Sequence, residues 1–259
     1  MLLDSTVKTA TFDSWSSFLQ FKRKVVEESR YFHDAEVQRF CAGVLMTAQD
    51  RVKTIPQGYP CWRAQFGCDD DPIYVQDEIV DYNAVPFTTE RMKPSRRHPH
   101  EGRVNPRGIP CLYLSEEELT AISEVRPWVG TYVTVARFKT VRDLRIVDCR
   151  SEIDPTKRSV HDLDKLFRLN PQESEETTRI VWCWLNVTFS EPVDRNDQAE
   201  SYVPTQIIAE LFKANGFDGI EYRSVFNAGH NLALFDSEAA RQIDAGRVVQ
   251  VTSIDVGLD

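Results

Sequence analysis

A short stretch in the middle of the chain combines residue types that can bind a phosphate. Arg103 stands between Gly102 and Gly108, and Tyr113 and Glu124 follow it at intervals of ten and eleven residues. A guanidinium forks two donors onto one phosphate, and glycines beside it allow a tight turn and the close approach of a ligand. The segment therefore predicts a loop that binds a phosphorylated ligand, with an aromatic ring and a carboxylate placed beyond it.

A second stretch near the carboxyl end carries small polar residues in a similar setting. Ser224 ends the run GFDGIEYRS at 216–224, and Asn231 follows seven residues later. Taken singly, a serine before a turn is usually a turn residue, and a helical glutamate such as Glu124 is usually a surface ion-pair member. The order and spacing of the whole set, and not any one residue, indicate a functional site.

Together the two stretches resemble the RES domain family, which is named for an arginine, a glutamate and a serine. The matching pattern is GR-x-N-x-x-G at 102–108, LYL at 112–114, E-x-R-P at 124–127, GFDGI-x-Y-x-S at 216–224 and G-x-N at 229–231. Trp62, Arg63 and Ala64 resemble the family's opening strand. Val104 departs from the tryptophan that is frequent there. The resemblance covers residues 59–236, about two thirds of the chain.

The resemblance implies an α+β fold like the NAD-binding core of ADP-ribosyltransferase toxins, with two small packed β-sheets forming a cleft and helices flanking them. It also implies an enzyme that takes NAD as its substrate, and many such relatives are bacterial toxins held inactive by an antitoxin. Four residues are carried over by position as catalytic: Arg103, Tyr113, Glu124 and Ser224. Four are expected to bind NAD: Arg63, Arg103, Tyr113 and Asn231.

The chemistry that the resemblance implies explains why these residue types are needed. Cleavage of the bond between nicotinamide and ribose passes through an oxocarbenium-like transition state, and nicotinamide departs as a neutral molecule. The enzyme then has little need for a general acid, but it needs negative charge near the ribose and a rigid hold on the substrate. Glu124 is expected to bind a ribose hydroxyl, Arg103 and Arg63 to hold phosphate or ribose oxygens, and Tyr113 to stack. Ser224 and Asn231 are expected to bond the substrate or orient Arg103.

Several alternatives stay open at the level of the sequence. The acceptor of ADP-ribose is water, inorganic phosphate or a protein, with NAD degradation favoured over protein modification. A catalytically inactive RES fold that only binds NAD or a partner is the alternative from another class. A cognate antitoxin and a homodimer are further possible partners, and the N-terminal segment is a candidate surface for either.

Hydrophobic periodicity predicts the elements that must position these residues. Helical spacing indicates two helices within residues 1–55, a third after Leu114 with a capping box of Ser115 and Glu118, and a fourth over 204–213 that ends at Asn215 and Gly216. A helix-bearing surface insertion is expected at 151–176. Strands are expected at 61–66, 111–114, 131–138, 144–147, 180–187, 219–222, 231–235 and 248–254. This order favours an α+β fold, with an N-terminal helical extension at 1–55 and a RES domain at 56–259.

Composition limits the classes of function. Hydrophobic residues make up 41% of the 259 residues and the net charge is −9, which fits a soluble protein and argues against a dedicated nucleic-acid binder. No signal peptide or membrane-spanning run is recognisable, so a cytoplasmic protein is expected. The six cysteines are scattered without a CxxC pair, which predicts free thiols and no metal site. Trp128, Trp182 and Trp184 are expected in the core or an interface, and His230 in a structural role.

Overall fold

The computed structural model describes residues 11–95, 100–150, 174–192, 198–226 and 228–255. Helices within these residues are α1 (Ser17–Arg23), α2 (Ala35–Ala48), α3 (Glu118–Glu124), α4 (Ser174–Ser190), α5 (Gln198–Ser201) and α6 (Val203–Ala214). A π-helical turn, Lys24–Glu28, extends α1, and a 3₁₀ turn, Gln49–Arg51, follows α2. No helix within these residues combines the length and the apolar run that a membrane span requires.

The strands form one mixed sheet and one separate hairpin. They are β1 (Val52–Ile55), β2 (Pro60–Phe66), β3 (Asp69–Val75), β4 (Glu78–Val85), β5 (Leu112–Ser115), β6 (Tyr132–Thr140), β7 (Leu144–Asp148), β8 (Gly219–Arg223), β9 (His230–Leu234), β10 (Ala240–Gln242) and β11 (Arg247–Gln250). The order in the large sheet is β1-β7-β8-β9-β5-β2-β6-β10, and β11 also pairs with β6. The hairpin consists of β3 and β4. The α+β class and the N-terminal helices are therefore confirmed.

The large sheet has a weak seam between β5 and β2. These two strands share a single ladder pair, Trp62 with Ser115, whereas β2 and β6 pair continuously from Pro60 to Phe66. On the other side, β5 pairs with β9 along its whole length, from Leu112 to Ser115. Since few backbone bonds join the two halves, the sheet opens at this seam, and the cleft described below lies there.

Helices α1, α2, α4 and α6 pack together on the half of the sheet that contains β7, β8 and β9, whereas α3 packs on β2 and β6. Apolar side chains of α1 and α2 share one buried cluster with those of α4, α6 and β8; these side chains include Phe21, Phe40, Trp182, Phe212 and Ile220. The strand β1, which falls inside the predicted N-terminal segment, pairs with β7. The division into residues 1–55 and 56–259 stays a prediction, but the N-terminal helices bury their apolar faces in this common core.

Local sequence signals account for the ends of two helices. The side chain of Asp34 caps α2, because its Oδ1 accepts hydrogen bonds from the backbone N–H groups of Glu36 and Val37 at 3.0 and 2.9 Å. At the other end of the chain, α6 stops before Gly216, whose φ of +78° is the left-handed conformation that glycine adopts easily. The predicted end of this helix is thus confirmed.

Two sequence-based expectations are wrong. Residues 180–187, expected as a strand, belong to α4, whose side chains are apolar on most sides because the helix is buried in the common core. Ser115 does not cap α3: it ends β5, and Glu117 occupies the N-cap without a side-chain bond. The tryptophans were expected in the core or an interface: Trp182 is fully buried, and Trp128, at 75% exposure, leaves only the interface alternative.

The remaining expectations concern the cysteines, which the structure describes, and two segments that it does not describe. None of the six cysteines, all of which lie within the described residues, forms a disulfide bond. Residues 151–173, which make up most of the expected insertion, and residues 96–99 of the loop before Arg103 lie outside the described residues.

Candidate functional site

A polar cleft of about 690 Å³ lies at the seam between β2 and β5. Its walls come from β2, β5, the end of α3, the loop at 102–103 and the paired strands β8 and β9. The volume falls within the ~300–1,000 Å³ that is usual for small-molecule sites. Five of the residues predicted from the sequence line it: Arg63, Arg103, Tyr113, Glu124 and Asn231.

The loop that carries Arg103 is fixed by hydrogen bonds to its backbone. The N–H of Gly102 donates to the carbonyl of Asn105 at 3.0 Å, which closes the turn around Arg103. The buried amide of Asn105 donates in its turn to the carbonyls of His100 and Ile109 at 2.9 and 2.7 Å. From α6, Gln206 Nε2 donates to the carbonyl of Gly102 at 2.9 Å. The turn is therefore held from both sides.

The guanidinium of Arg103 is buried without a full set of partners. The residue is 9% exposed, and its Nη1 makes no hydrogen bond within the described part of the chain. Its Cζ lies 5.8 Å from the centre of the Tyr202 ring, which offers a weak cation–π contact at most. A buried donor without an acceptor costs free energy, so this group is suited to receive an anionic oxygen from a ligand.

Tyr113 on β5 is tied to the same loop through its hydroxyl. The hydroxyl donates to Asn105 Oδ1 at 2.7 Å and accepts from the N–H of Val104 at 3.0 Å. Burial raises the pKa of Tyr113 well above the usual value for a phenol, so the hydroxyl stays protonated. Its hydrogen bonds are thus used within the protein, which leaves the ring, and not the hydroxyl, to face the cleft.

Arg63 on β2 crosses the seam between the two halves of the sheet. Its Nη1 donates to the carbonyl of Tyr113 on β5 at 2.7 Å, and its Nε is buried without a partner in the described chain. Burial lowers the pKa of the Arg63 guanidinium to about 10, so the side chain is still charged at neutral pH. Arg63 therefore both braces the seam and adds positive charge to the cleft.

Glu124, at the end of α3, is held by two donors from distant segments. Its Oε1 accepts hydrogen bonds from Ser224 Oγ and from Asn231 Nδ2, both at 2.6 Å. Asn231 is oriented by Ser115, whose hydroxyl donates to Asn231 Oδ1 at 2.8 Å. The structure thus brings Glu124, Ser224 and Asn231 together, although Ser224 touches the carboxylate and does not line the cleft itself.

The arrangement separates two kinds of charge along one cleft. Arg103 and Arg63 supply positive charge beside β5 and the Gly102 turn, while the carboxylate of Glu124 supplies negative charge at the end of α3. Only one of the two carboxylate oxygens of Glu124 is used by Ser224 and Asn231. Such a site can hold an anion at one place and stabilise a developing cation at another.

Sequence reasoning missed four residues that build this site. Ser115 was expected to be a helix cap, and Tyr202, Gln206 and Tyr222 lie in the second stretch of interest but were given no role. The signal for Tyr222 was the alternation of side chains along a strand. Residues two apart share a face, and Ser224, a predicted site residue, follows Tyr222 by two positions. No local pattern indicates Gln206, whose partners are about 100 residues away in the chain.

A second polar group lies outside the cleft. Glu116, Glu221 and His230 place potential metal ligands within 4.8 Å of one another. However, Lys53 Nζ lies 2.9 Å from Glu221 Oε2, and Arg150 Nη1 lies 3.3 Å from Glu221 Oε1. Because these two cations already neutralise the buried carboxylate and would repel a metal ion, the group is best described as an ion-pair network. This network agrees with a structural role for His230.

The chain can be compared with known proteins by its sequence and by its structure. The sequence model of the RES domain family matches residues 73–256, which include β5, α3, β8 and β9 but begin after Arg63. No curated protein matches the chain. Among solved structures, the chain resembles one from the M. tuberculosis MbcT–MbcA toxin–antitoxin complex, at 13% identity and a TM-score of 0.39. That alignment covers 81% of this chain and 92% of the other.

Proposed function

The chain belongs to the RES domain family, whose toxins act on NAD, and from this premise we propose that it cleaves the bond between nicotinamide and ribose in NAD. The family match extends over residues 73–256, well over half of the chain. We further propose that the products are nicotinamide and ADP-ribose or a phosphorylated ADP-ribose, so that the enzyme degrades NAD. The proposed catalytic residues are Arg103, Tyr113, Glu124 and Ser224.

One observation carries this proposal: an incompletely paired, buried guanidinium and an anchored carboxylate line the same cleft. Arg103 Nη1 lacks a partner in the described chain, and Glu124 is fixed through one oxygen by Ser224 and Asn231. NAD carries a diphosphate and a ribose that develops positive charge as nicotinamide leaves. The two protein groups match these two parts of the substrate in charge.

The proposed reaction needs these groups for binding and for charge stabilisation. The bond from ribose C1′ to nicotinamide breaks, and its electron pair leaves with nicotinamide. The second carboxylate oxygen of Glu124 accepts a hydrogen bond from a ribose hydroxyl and stabilises the oxocarbenium-like ribose. Arg103, assisted by Arg63, binds the phosphate oxygens, and the ring of Tyr113 packs against the nicotinamide or the ribose.

The acceptor completes the reaction from the open side of the cleft. An oxygen of water or of inorganic phosphate forms a bond to C1′, and the proton that is lost passes to solvent. Both acceptors are small enough to enter a cleft of about 690 Å³ that also holds the substrate. Hydrolysis and phosphorolysis therefore share the same protein groups and differ only in the acceptor.

ADP-ribosylation of a protein is the second candidate function, and one surface feature favours it. In the segment after Glu124, Trp128 is 75% exposed and Val129 is 51% exposed. Phe226, two residues beyond Ser224, is 37% exposed. Exposed apolar side chains of this kind are enriched where macromolecules bind. A protein acceptor that docks next to Glu124 would use this surface.

Measurement of NAD loss and nicotinamide release by the purified protein tests the proposal. Glu124→Gln keeps the hydrogen bonds to neutral partners but removes the charge, so we expect nicotinamide release to fall by about 100-fold or more. Glu117→Gln, an exposed change at the start of the same helix, is the matched control and should keep full activity. Full turnover by Glu124→Gln would show that the assignment of Glu124 is wrong.

Four further readouts separate the possible outcomes. Turnover that requires added phosphate identifies phosphorolysis, and turnover in its absence identifies hydrolysis. Radiolabelled ADP-ribose that ends mainly on protein would replace NAD degradation with protein modification. Tight NAD binding without any turnover would support an inactive binding module instead. Growth arrest on expression of the wild type, and not of Glu124→Gln, would support a toxin that a cognate antitoxin restrains.

A further inference from the structure

Tyr222 lines the cleft and is not among the proposed catalytic or NAD-binding residues. It sits on β8, directly opposite Asn231 on β9, so the two side chains point to the same face of the sheet. The residue is 4% exposed, and its ring packs on Phe189 of α4 with the ring centres 6.1 Å apart. Its position is therefore fixed by the fold.

The hydroxyl of Tyr222 is free for a ligand, in contrast to that of Tyr113. The side chain of Tyr222 makes no hydrogen bond to any residue that the structure describes, whereas the Tyr113 hydroxyl bonds both Asn105 and Val104. The side chain lines the cleft. Because the hydroxyl has no protein partner in the described chain, a ligand in the cleft can take its hydrogen bond in place of water.

Tyr222 shares the cleft with both charged ends of the site: Arg103 and Glu124 line the same cleft, and Asn231, directly opposite Tyr222, donates to Glu124. Burial, followed by the negative charge of Glu124, raises the pKa of Tyr222, and the positive charge of Arg103 opposes that rise. The phenol is thus within electrostatic reach of both groups. It also stays protonated at neutral pH and is available as a donor.

We propose that the hydroxyl of Tyr222 donates a hydrogen bond to an oxygen of the ribose 5-phosphate unit on the nicotinamide side of NAD. This inference rests on the proposed function, in which Glu124 binds the nicotinamide ribose and Arg103 binds the diphosphate. The ribose 5-phosphate unit joins these two parts of the substrate, and Tyr222 lines the same cleft as the two protein groups that bind them. Tyr222 is then a substrate-binding residue that aligns this unit.

Tyr222→Phe tests the inference because it removes one oxygen and keeps the ring on Phe189. Loss of one neutral hydrogen bond is expected to raise KM for NAD by roughly 3- to 10-fold and to change kcat much less. The melting temperature should stay within about 2 °C of the wild type, since the hydroxyl has no partner in the described chain. Tyr82→Phe, on the exposed hairpin strand β4, is the matched control and should leave KM unchanged.

A binding measurement in the inactive background removes any dependence on turnover. Titration calorimetry compares Glu124→Gln with the double variant Glu124→Gln/Tyr222→Phe. The double variant should bind NAD and ADP-ribose more weakly, and the two affinities should fall by the same factor. AMP, which lacks the nicotinamide-side ribose phosphate, should bind both proteins equally. If Tyr222→Phe weakened the binding of AMP as much as that of NAD, or left the affinity for NAD and ADP-ribose unchanged, the role of Tyr222 would be overturned.

The outcomes distinguish this inference from the proposed function. If the wild type consumes NAD and Tyr222→Phe has the same KM and affinity, only the role of Tyr222 fails. If the wild type neither binds nor cleaves NAD, the proposed function fails together with the inference. A large loss of thermal stability in Tyr222→Phe would also contradict it, because it would show that the hydroxyl has a partner within the protein.

Discussion

The position of the Glu124 carboxylate depends on hydrogen bonds from residues that are far away in the sequence. Ser224 and Asn231 both donate to Oε1, and the Asn231 amide is oriented by Ser115. An amide can rotate its oxygen and nitrogen, so the hydroxyl of Ser115, by donating to Oδ1, selects the rotamer that points Nδ2 at Glu124. Three small polar residues thus fix the direction of one charged group.

Removal of one of these donors should impair turnover more than substrate binding. We expect Ser224→Ala to lower kcat for nicotinamide release by roughly 10-fold, because a charge-assisted hydrogen bond to Glu124 is lost and the carboxylate is less well oriented. Steady-state kinetics of the purified variant measure kcat and KM separately. Ser123→Ala, whose hydroxyl bonds only the Leu119 carbonyl on the same helix, is the matched control. An unchanged kcat in Ser224→Ala would exclude this role.

At the scale of the elements, α3 and the loop between β8 and β9 must approach each other closely for Glu124 and Ser224 to meet. Gly229 in this loop makes the approach possible: a Cβ there would lie 2.2 Å from Thr120 Oγ1 on α3. The carbonyl of Gly229 also accepts a hydrogen bond from the backbone N–H of Ser224 at 3.1 Å, so the glycine helps to position the serine directly.

Substitution of this glycine should damage the site, and a second substitution should repair it. Gly229→Ala pushes the loop away from α3 and is expected to reduce nicotinamide release by 10-fold or more, since the Ser224–Glu124 contact depends on this distance. Thr120 Oγ1 is buried without a partner in the described chain, so Thr120→Ala costs little by itself and makes room for the new methyl group.

The double variant Thr120→Ala/Gly229→Ala is therefore expected to recover most of the activity in the same assay. A simple sum of the two single effects, without recovery, would show that the contact with Thr120 is not the reason for the glycine. The recovery also separates a local clash from a general loss of folding.

At the scale of the whole molecule, the N-terminal helices stabilise the half of the sheet that carries Tyr222 and Asn231. Phe21 of α1 stacks on Phe40 of α2 with ring centres 4.6 Å apart, and both belong to the buried cluster that includes Trp182 and Phe212. Trp182 and Phe212 are also stacked, at 6.4 Å. The helices and the cleft therefore share one hydrophobic core.

Loss of an aromatic ring in this core should destabilise the whole protein at once. Phe21→Ala is expected to cost about 3–5 kcal/mol of unfolding free energy, because it removes a fully buried ring and leaves a cavity. Denaturant unfolding, followed by circular dichroism and by nicotinamide release, measures both signals. Phe32→Ala, at a side chain that is 88% exposed, is the control and should be nearly neutral. Helical signal that is lost well before activity would contradict a shared core.

Much of the fold follows from local sequence patterns. The strands around the site, the end of α6 and the α+β class were predicted, because strand alternation and a glycine in the left-handed conformation are properties of neighbouring residues. The segment 180–187 was predicted wrongly. An apolar run that is buried on most sides has the same appearance in a strand and in a helix, and only the packing of α4 against the core decides between them.

The sequence by itself indicated Arg103, Tyr113, Glu124 and Ser224 as candidate site residues, since their order and spacing are properties of the chain. The tertiary structure decided how their hydrogen bonds are distributed. It gave the Tyr113 hydroxyl two partners and left that of Tyr222 with none in the described chain, and it joined Ser115 to Asn231 across 116 positions. The physical reason is that hydrogen bonds are formed over about 3 Å in space, and separation along the chain says nothing about that distance.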